Sequence, residues 1–122
     1  MATNTAYTEA SRVNSTDAVK QRASGKITFP ATAITATDSV VLTLGFTPKY
    51  FFWFNLDIVS KFEWWEGMTA NTCIKTLGSN GVMTAETTNG GITVSGNTVS
   101  ILQNATLLAI SADDVCYWVA EA

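Results

Sequence analysis

From Lys26 onward, no stretch of this chain keeps helical spacing for a dozen residues before a turn signal interrupts it. The breaks fall at Pro30, Gly45 and Pro48, Gly67, Ser79-Asn80-Gly81, Asn89-Gly90-Gly91, Ser95-Gly96-Asn97 and Asp113-Asp114. Asn-Gly pairs supply the positive φ angles that tight hairpins require. Between the breaks, short runs of β-branched and aromatic residues predict strands near 26–29, 39–44, 49–55, 58–65, 73–77, 82–87, 91–95, 98–102, 106–110 and 115–120. Closely spaced strands with no helical stretch between them predict an all-β domain: an antiparallel β-sandwich, a jelly roll or a barrel. No repeat of 20–50 residues points to a solenoid or propeller.

The residues agree with that pattern. Threonine occurs 19 times, valine 10 times and aromatic residues 13 times, all types that favour a pleated, half-buried surface. At 122 residues the chain has the length of one domain and needs no covalent staple. No apolar run approaches the roughly 18 residues a spanning helix needs, Val40 to Leu44 being five, so no membrane partner is expected. The opening MATNTAYTEA has neither a basic start nor an apolar core, so no export signal is expected. A single cysteine pair can bridge, but nothing marks an oxidising compartment. Cys73 and Cys116, each inside an apolar strand pattern, are expected to be buried free thiols.

Residues 1–25 differ from the rest. They carry few large aliphatic residues, and only a short helix is conceivable, starting near Ser15 or Thr16 and stopped by Gly25. Ordering a backbone costs about 1–2 kcal/mol per residue, which this segment cannot recover alone. It is therefore expected to be an extended N-terminal arm (1–25) on a β body (26–122), loose or laid on a partner. Up to Lys26 the chain has four cations against two acids; beyond it, three lysines face eight acids. Such a mildly basic arm lacks the dense basic face of a nucleic-acid binder.

The aromatic strands pose a packing problem. In Tyr50-Phe51-Phe52-Trp53-Phe54 both faces are aromatic, and in Phe62-Glu63-Trp64-Trp65 the last tryptophan points away from Phe62 and Trp64. Phe51, Trp53 and Trp65 are the candidates for a second apolar face. It is covered by another layer of the same chain or by another subunit.

Catalytic options are few. Without histidine, a Ser-His-Asp triad, a Cys-His dyad and every His-bearing metal site are impossible. No cofactor is expected. Gly91 and Gly96 have the outer spacing of a phosphate loop, but Asn97-Thr98 follows where Lys-Ser/Thr is required. Paired carboxylates of a glycoside hydrolase remain: Glu63 with Glu66, or Asp113 with Asp114. The first pair falls on opposite strand faces and the second has the position of a turn former, so a non-enzymatic role is expected. Sugar binding through Trp53, Trp64, Trp65 or Trp118 needs only aromatic faces and a few polar groups.

Four segments in order carry a resemblance. They are Leu44-Gly45-Phe46-Thr47-Pro48-Lys49-Tyr50 with the aromatic strand to Asn55; Phe62-Glu63-Trp64-Trp65-Glu66-Gly67-Met68; Gly90-Gly91-Ile92-Thr93-Val94; and Val115-Cys116-Tyr117-Trp118-Val119-Ala120. Together, over residues 25–122, the chain resembles small virion proteins of tailed phages, including capsid decoration or cement proteins. The resemblance implies a virion location on the capsid surface after assembly in the bacterial cytoplasm. It also implies the major capsid protein as partner, and a homo-oligomer, a trimer before a dimer. Under it, Arg12, Lys20 and Arg22 of the arm lie on the capsid. A tail or fibre component binding host glycans is the alternative it leaves open.

Overall fold

The computed structural model of the protein describes residues 21–31, 38–87, 91–102 and 109–122. Among these residues there is no helix, and nine strands are formed. They are β1 (Arg22–Thr28), β2 (Ser39–Thr43), β3 (Tyr50–Asn55), β4 (Ser60–Trp65), β5 (Cys73–Leu77), β6 (Met83–Glu86), β7 (Ile92–Ser95), β8 (Thr98–Leu102) and β9 (Val115–Glu121). They make two antiparallel sheets, one of six strands in the order β1-β9-β3-β4-β5-β6 and one of three in the order β2-β8-β7. The fold is an all-β sandwich.

Alternation along each strand decides what enters the space between the sheets. From the large sheet come Phe51, Trp53, Phe62, Trp64, Cys73, Cys116 and Ala120; from the small one, Ile92, Val99 and Ile101. Val40, Leu42 and Val94 pack against this cluster. Phe51 and Trp53 are both 0% exposed. Burying each of these rings contributes roughly 2–4 kcal/mol. The rings also order one another: Phe51 stacks between Trp53, 6.5 Å away, and Trp118, 6.2 Å away.

Polar stitches hold the loops to this core. Asn55 ends β3 facing inward, and its Nδ2 donates to Asp114 Oδ2 at 2.7 Å and to the Ala109 carbonyl at 3.2 Å. Its Oδ1 accepts from the amides of Asp57 and Ile58, which closes the β3–β4 turn. Asp57 Oδ2 in turn accepts from the Val115 amide at the start of β9. On the other side, the Asn71 amide donates to Thr93 Oγ1 and Asn71 Oδ1 accepts from the Gly91 amide. These two bonds tie the β4–β5 loop to the edge of the small sheet.

Three expectations change. The helix reaching Gly25 is not formed there: Arg22–Thr28 is a strand along its full length, paired with β9 from Arg22↔Glu121 to Thr28↔Val115. Gly25 is needed for another reason, because a Cβ at that position would lie 2.6 Å from Trp118 Nε1. β1 therefore starts at Arg22, inside the segment 1–25. Phe51 and Trp53 belong to the core and not to a second face. The strand expected at 106–110 is absent at Ala109 and Ile110, which are buried without strand pairing. Its first three positions lie outside the described residues, as do Arg12, Lys20, the rest of residues 1–20, and the Asn89-Gly90 part of one turn.

Neither cysteine is in a disulfide, and both are buried. Cys73 on β5 and Cys116 on β9 are three strand spacings apart in the sheet. Three steps of about 4.8 Å set their strands roughly 14 Å apart, and a register offset of four residues adds to that, which puts the pair beyond the reach of a disulfide. Burial pushes each thiol up to about 12, with nearby acids adding to it: Glu86 for Cys73, Asp114 and Asp57 for Cys116.

Candidate functional site

Removing Phe51 and Trp53 to the core leaves the opposite side of β3, Tyr50, Phe52 and Phe54, on the outer face of the large sheet. Register fixes the neighbours of these side chains, because residues directly opposite across strands share a face. One row across the sheet reads Arg22, Glu121, Tyr50, Trp65. The next reads Ser24, Val119, Phe52, Glu63, Ile74, Ala85. The third reads Lys26, Tyr117, Phe54, Lys61, Thr76, Met83. The result is an apolar and aromatic centre, Tyr50, Phe52, Phe54, Trp65, Tyr117 and Val119, bordered by charges of both signs.

The rings hold one another in place. Phe52 and Phe54 lie parallel at 6.4 Å, and Tyr50 meets Trp65 in a tilted pair at 5.4 Å. Lys26 sits 5.8 Å from the centre of the Tyr117 ring. Trp65 is 43% and Tyr117 40% exposed, large values for aromatic side chains on a regular strand. Around them, Arg22 pairs with Glu121 at 3.6 Å and Lys61 with Glu63 at 3.7 Å. The Tyr50 hydroxyl donates to Glu63 Oε2 at 2.9 Å. Burial, followed by that hydrogen bond and the charges of Glu63 and Glu121, keeps Tyr50 protonated well above the usual phenol range.

This surface offers aromatic faces and a rim of charges of both signs. Of the three side chains expected on a second face, Trp65 alone stands there. The second face is carried by Tyr50, Phe52 and Phe54, which strand alternation groups without saying which side turns inward, and by Tyr117, which the β3–β9 pairing adds. Of the four tryptophans considered for sugar binding, Trp53 and Trp64 are core residues and Trp118 packs against the core; Trp65 is exposed. Arg22 is a residue of β1 on the sheet face, held by Glu121.

The carboxylates considered for hydrolysis are placed differently from one another. Glu63 is half-buried and bonded to Tyr50 and Lys61, while Glu66 is exposed in the turn after β4. Asp113 is exposed in the left-handed region with φ 66°, and Asp114 is buried on Asn55. Among the described residues no group of three or more Cys, Asp or Glu side chains is arranged to hold a metal ion. Comparison with protein-family models, with curated proteins and with solved structures finds no match.

Proposed function

We propose that the chain is a non-enzymatic structural protein of a tailed-phage particle, a capsid decoration or cement protein that contacts neighbouring major capsid subunits and stabilises the head. The observation that carries this reading is the outer face of the large sheet, whose aromatic centre and charged rim suit protein contact. The resemblance over residues 25–122 supplies the setting. A sandwich that self-associates through one face presents several copies of its N-terminal segment at once. Several weak attachments then act together, so that avidity exceeds any single contact. Contacts that exist only on the intact shell stabilise it by linkage.

The test uses full-length protein and shells assembled from the major capsid protein of the same particle. The wild type should co-sediment with the shells and raise their disruption temperature. Arg12→Glu/Lys20→Glu should keep the wild-type circular dichroism spectrum and lose most of the bound fraction. Absence of co-sedimentation by the wild type would refute the decoration role. The exposed Trp65 ring beside Tyr50 favours a second reading, a tail or fibre component that binds host glycans. A saturable change in tryptophan emission with host polysaccharide, lost in Trp65→Ala, would put that reading first.

A further inference from the structure

We infer that the outer face of the six-stranded sheet is the interface of a two-fold dimer, with a second copy of this chain as its occupant. The inference is independent of the capsid reading, since a dimer that ignores shells would leave it standing. Its basis is the order of charges and rings on the face. Lys61 and Glu63 stand two residues apart on β4, the first in the row of Phe54 and the second in the row of Phe52.

A two-fold axis lying in the face, perpendicular to the strands and midway between those rows, exchanges one row for the other. Lys61 then meets Glu63 of the second copy, and Glu63 meets its Lys61. Phe52 stacks on Phe54 of the second copy, and Val119 covers its Tyr117. The rim cations avoid one another, with Lys26 opposite Ser24 and Arg22 opposite Thr28. The exposed Leu56 and Val59 of the β3–β4 turn lie at the end of the face that this axis brings to Tyr50 and Trp65. An axis along β3 does worse: it sets Lys61 against Tyr117 and Glu63 against Val119, leaving Glu63 on an apolar partner and Lys61 on a neutral one. Glu121 meets an apolar side chain under either axis, Val115 under the first and Trp65 under the second, so the facing Lys61–Glu63 pairs select the first axis.

The geometry is that of ordinary sheet packing, about 10 Å apart and within roughly 30° of alignment. Six strands at about 4.8 Å and four same-face rows at about 6.8 Å present on the order of 500 Å² in projection. With side-chain relief, that approaches the roughly 800 Å² per partner of a stable interface. An apolar centre with a charged rim is also the usual anatomy of such a contact.

Sedimentation equilibrium of the full chain should give twice the 13.1 kDa chain mass. Lys61→Glu sets a new carboxylate against Glu63 of the second copy, twice per dimer, and Glu63→Lys does the same with ammonium groups. Each single variant should dimerise roughly 100-fold more weakly, about tenfold for each like-charge contact. Mixing the two variants should restore a dimer, because every facing pair is then opposite in charge. Lys61→Glu/Glu63→Lys on one chain should also dimerise. A monomeric or trimeric wild type would overturn the inference. So would a mixture of the single variants that stays no heavier than either alone, with circular dichroism spectra matching the wild type to show that both variants are folded.

Discussion

Asn55 shows how much a single polar side chain decides here. It shares its strand face with Phe51 and Trp53, and a polar residue there argues from sequence for a solvent-facing side. Its amide is instead consumed by Asp114 and the Ala109 carbonyl, and its carbonyl oxygen by two turn amides. The inward face of β3 was therefore illegible: its signal lay in partners 54 and 59 residues away. Replacing Asn55 with Ala leaves the buried Asp114 carboxylate without this donor. A loss of about 2–4 kcal/mol is expected, measured by urea unfolding. A loss under about 0.5 kcal/mol would mean that solvent reaches the site and supplies the missing bond.

At the level of elements, the strands bounded by strong turn residues were readable in advance. The β7–β8 hairpin is the clearest case: Ile92–Ser95 and Thr98–Leu102 flank Gly96-Asn97, and Gly96 adopts φ 58°. β1 was not readable over its first half, since Arg22–Gly25 offers Ala23 as its one apolar side chain besides glycine. Its conformation is imposed by β9, almost a hundred residues on. Gly25 records that dependence, because the Trp118 indole fills the space a side chain would need. Gly25→Ala must displace this ring, which stacks on Phe51, and a destabilisation of about 1–3 kcal/mol is expected by thermal or urea unfolding. Wild-type stability in that variant would show that the indole shifts freely. The outer aromatic face was half legible: alternation grouped Tyr50 with Phe52 and Phe54, but Tyr117 joined them through a pairing that sequence spacing does not encode.

For the molecule as a whole, two buried thiols set an alkaline limit. Each has a folded value raised from 9.0 to about 12, so its contribution is fully present below pH 9 and is lost as pH climbs from 9 towards 12. Stability should fall over that window with a slope of up to about 1.4 kcal/mol per pH unit for each thiol. Tyr50, also raised, acts in the same direction above its ordinary value of 10.0. Urea unfolding under reducing conditions at several pH values between about 8 and 11 measures the slope. Cys73→Ala/Cys116→Ala should flatten it, and an unchanged slope in that variant would remove the thiols as its cause.

The pairing of β1 with β9 has a further consequence for topology. Arg22 stands opposite Glu121, and the Ala122 amide donates to the Gln21 carbonyl at 3.0 Å. The first and last described residues are thus hydrogen-bonded neighbours at one corner of the sandwich. A linker of a few residues joining 122 to 21 would close the body into a covalent ring without crossing either sheet. Fresh ends opened at the exposed Ser79-Asn80-Gly81 turn would then leave from beside β5 and β6, at the opposite edge of the large sheet. Anything fused to such a rearranged chain would project from the edge remote from β1, while a fusion at Ala122 would emerge beside Gln21.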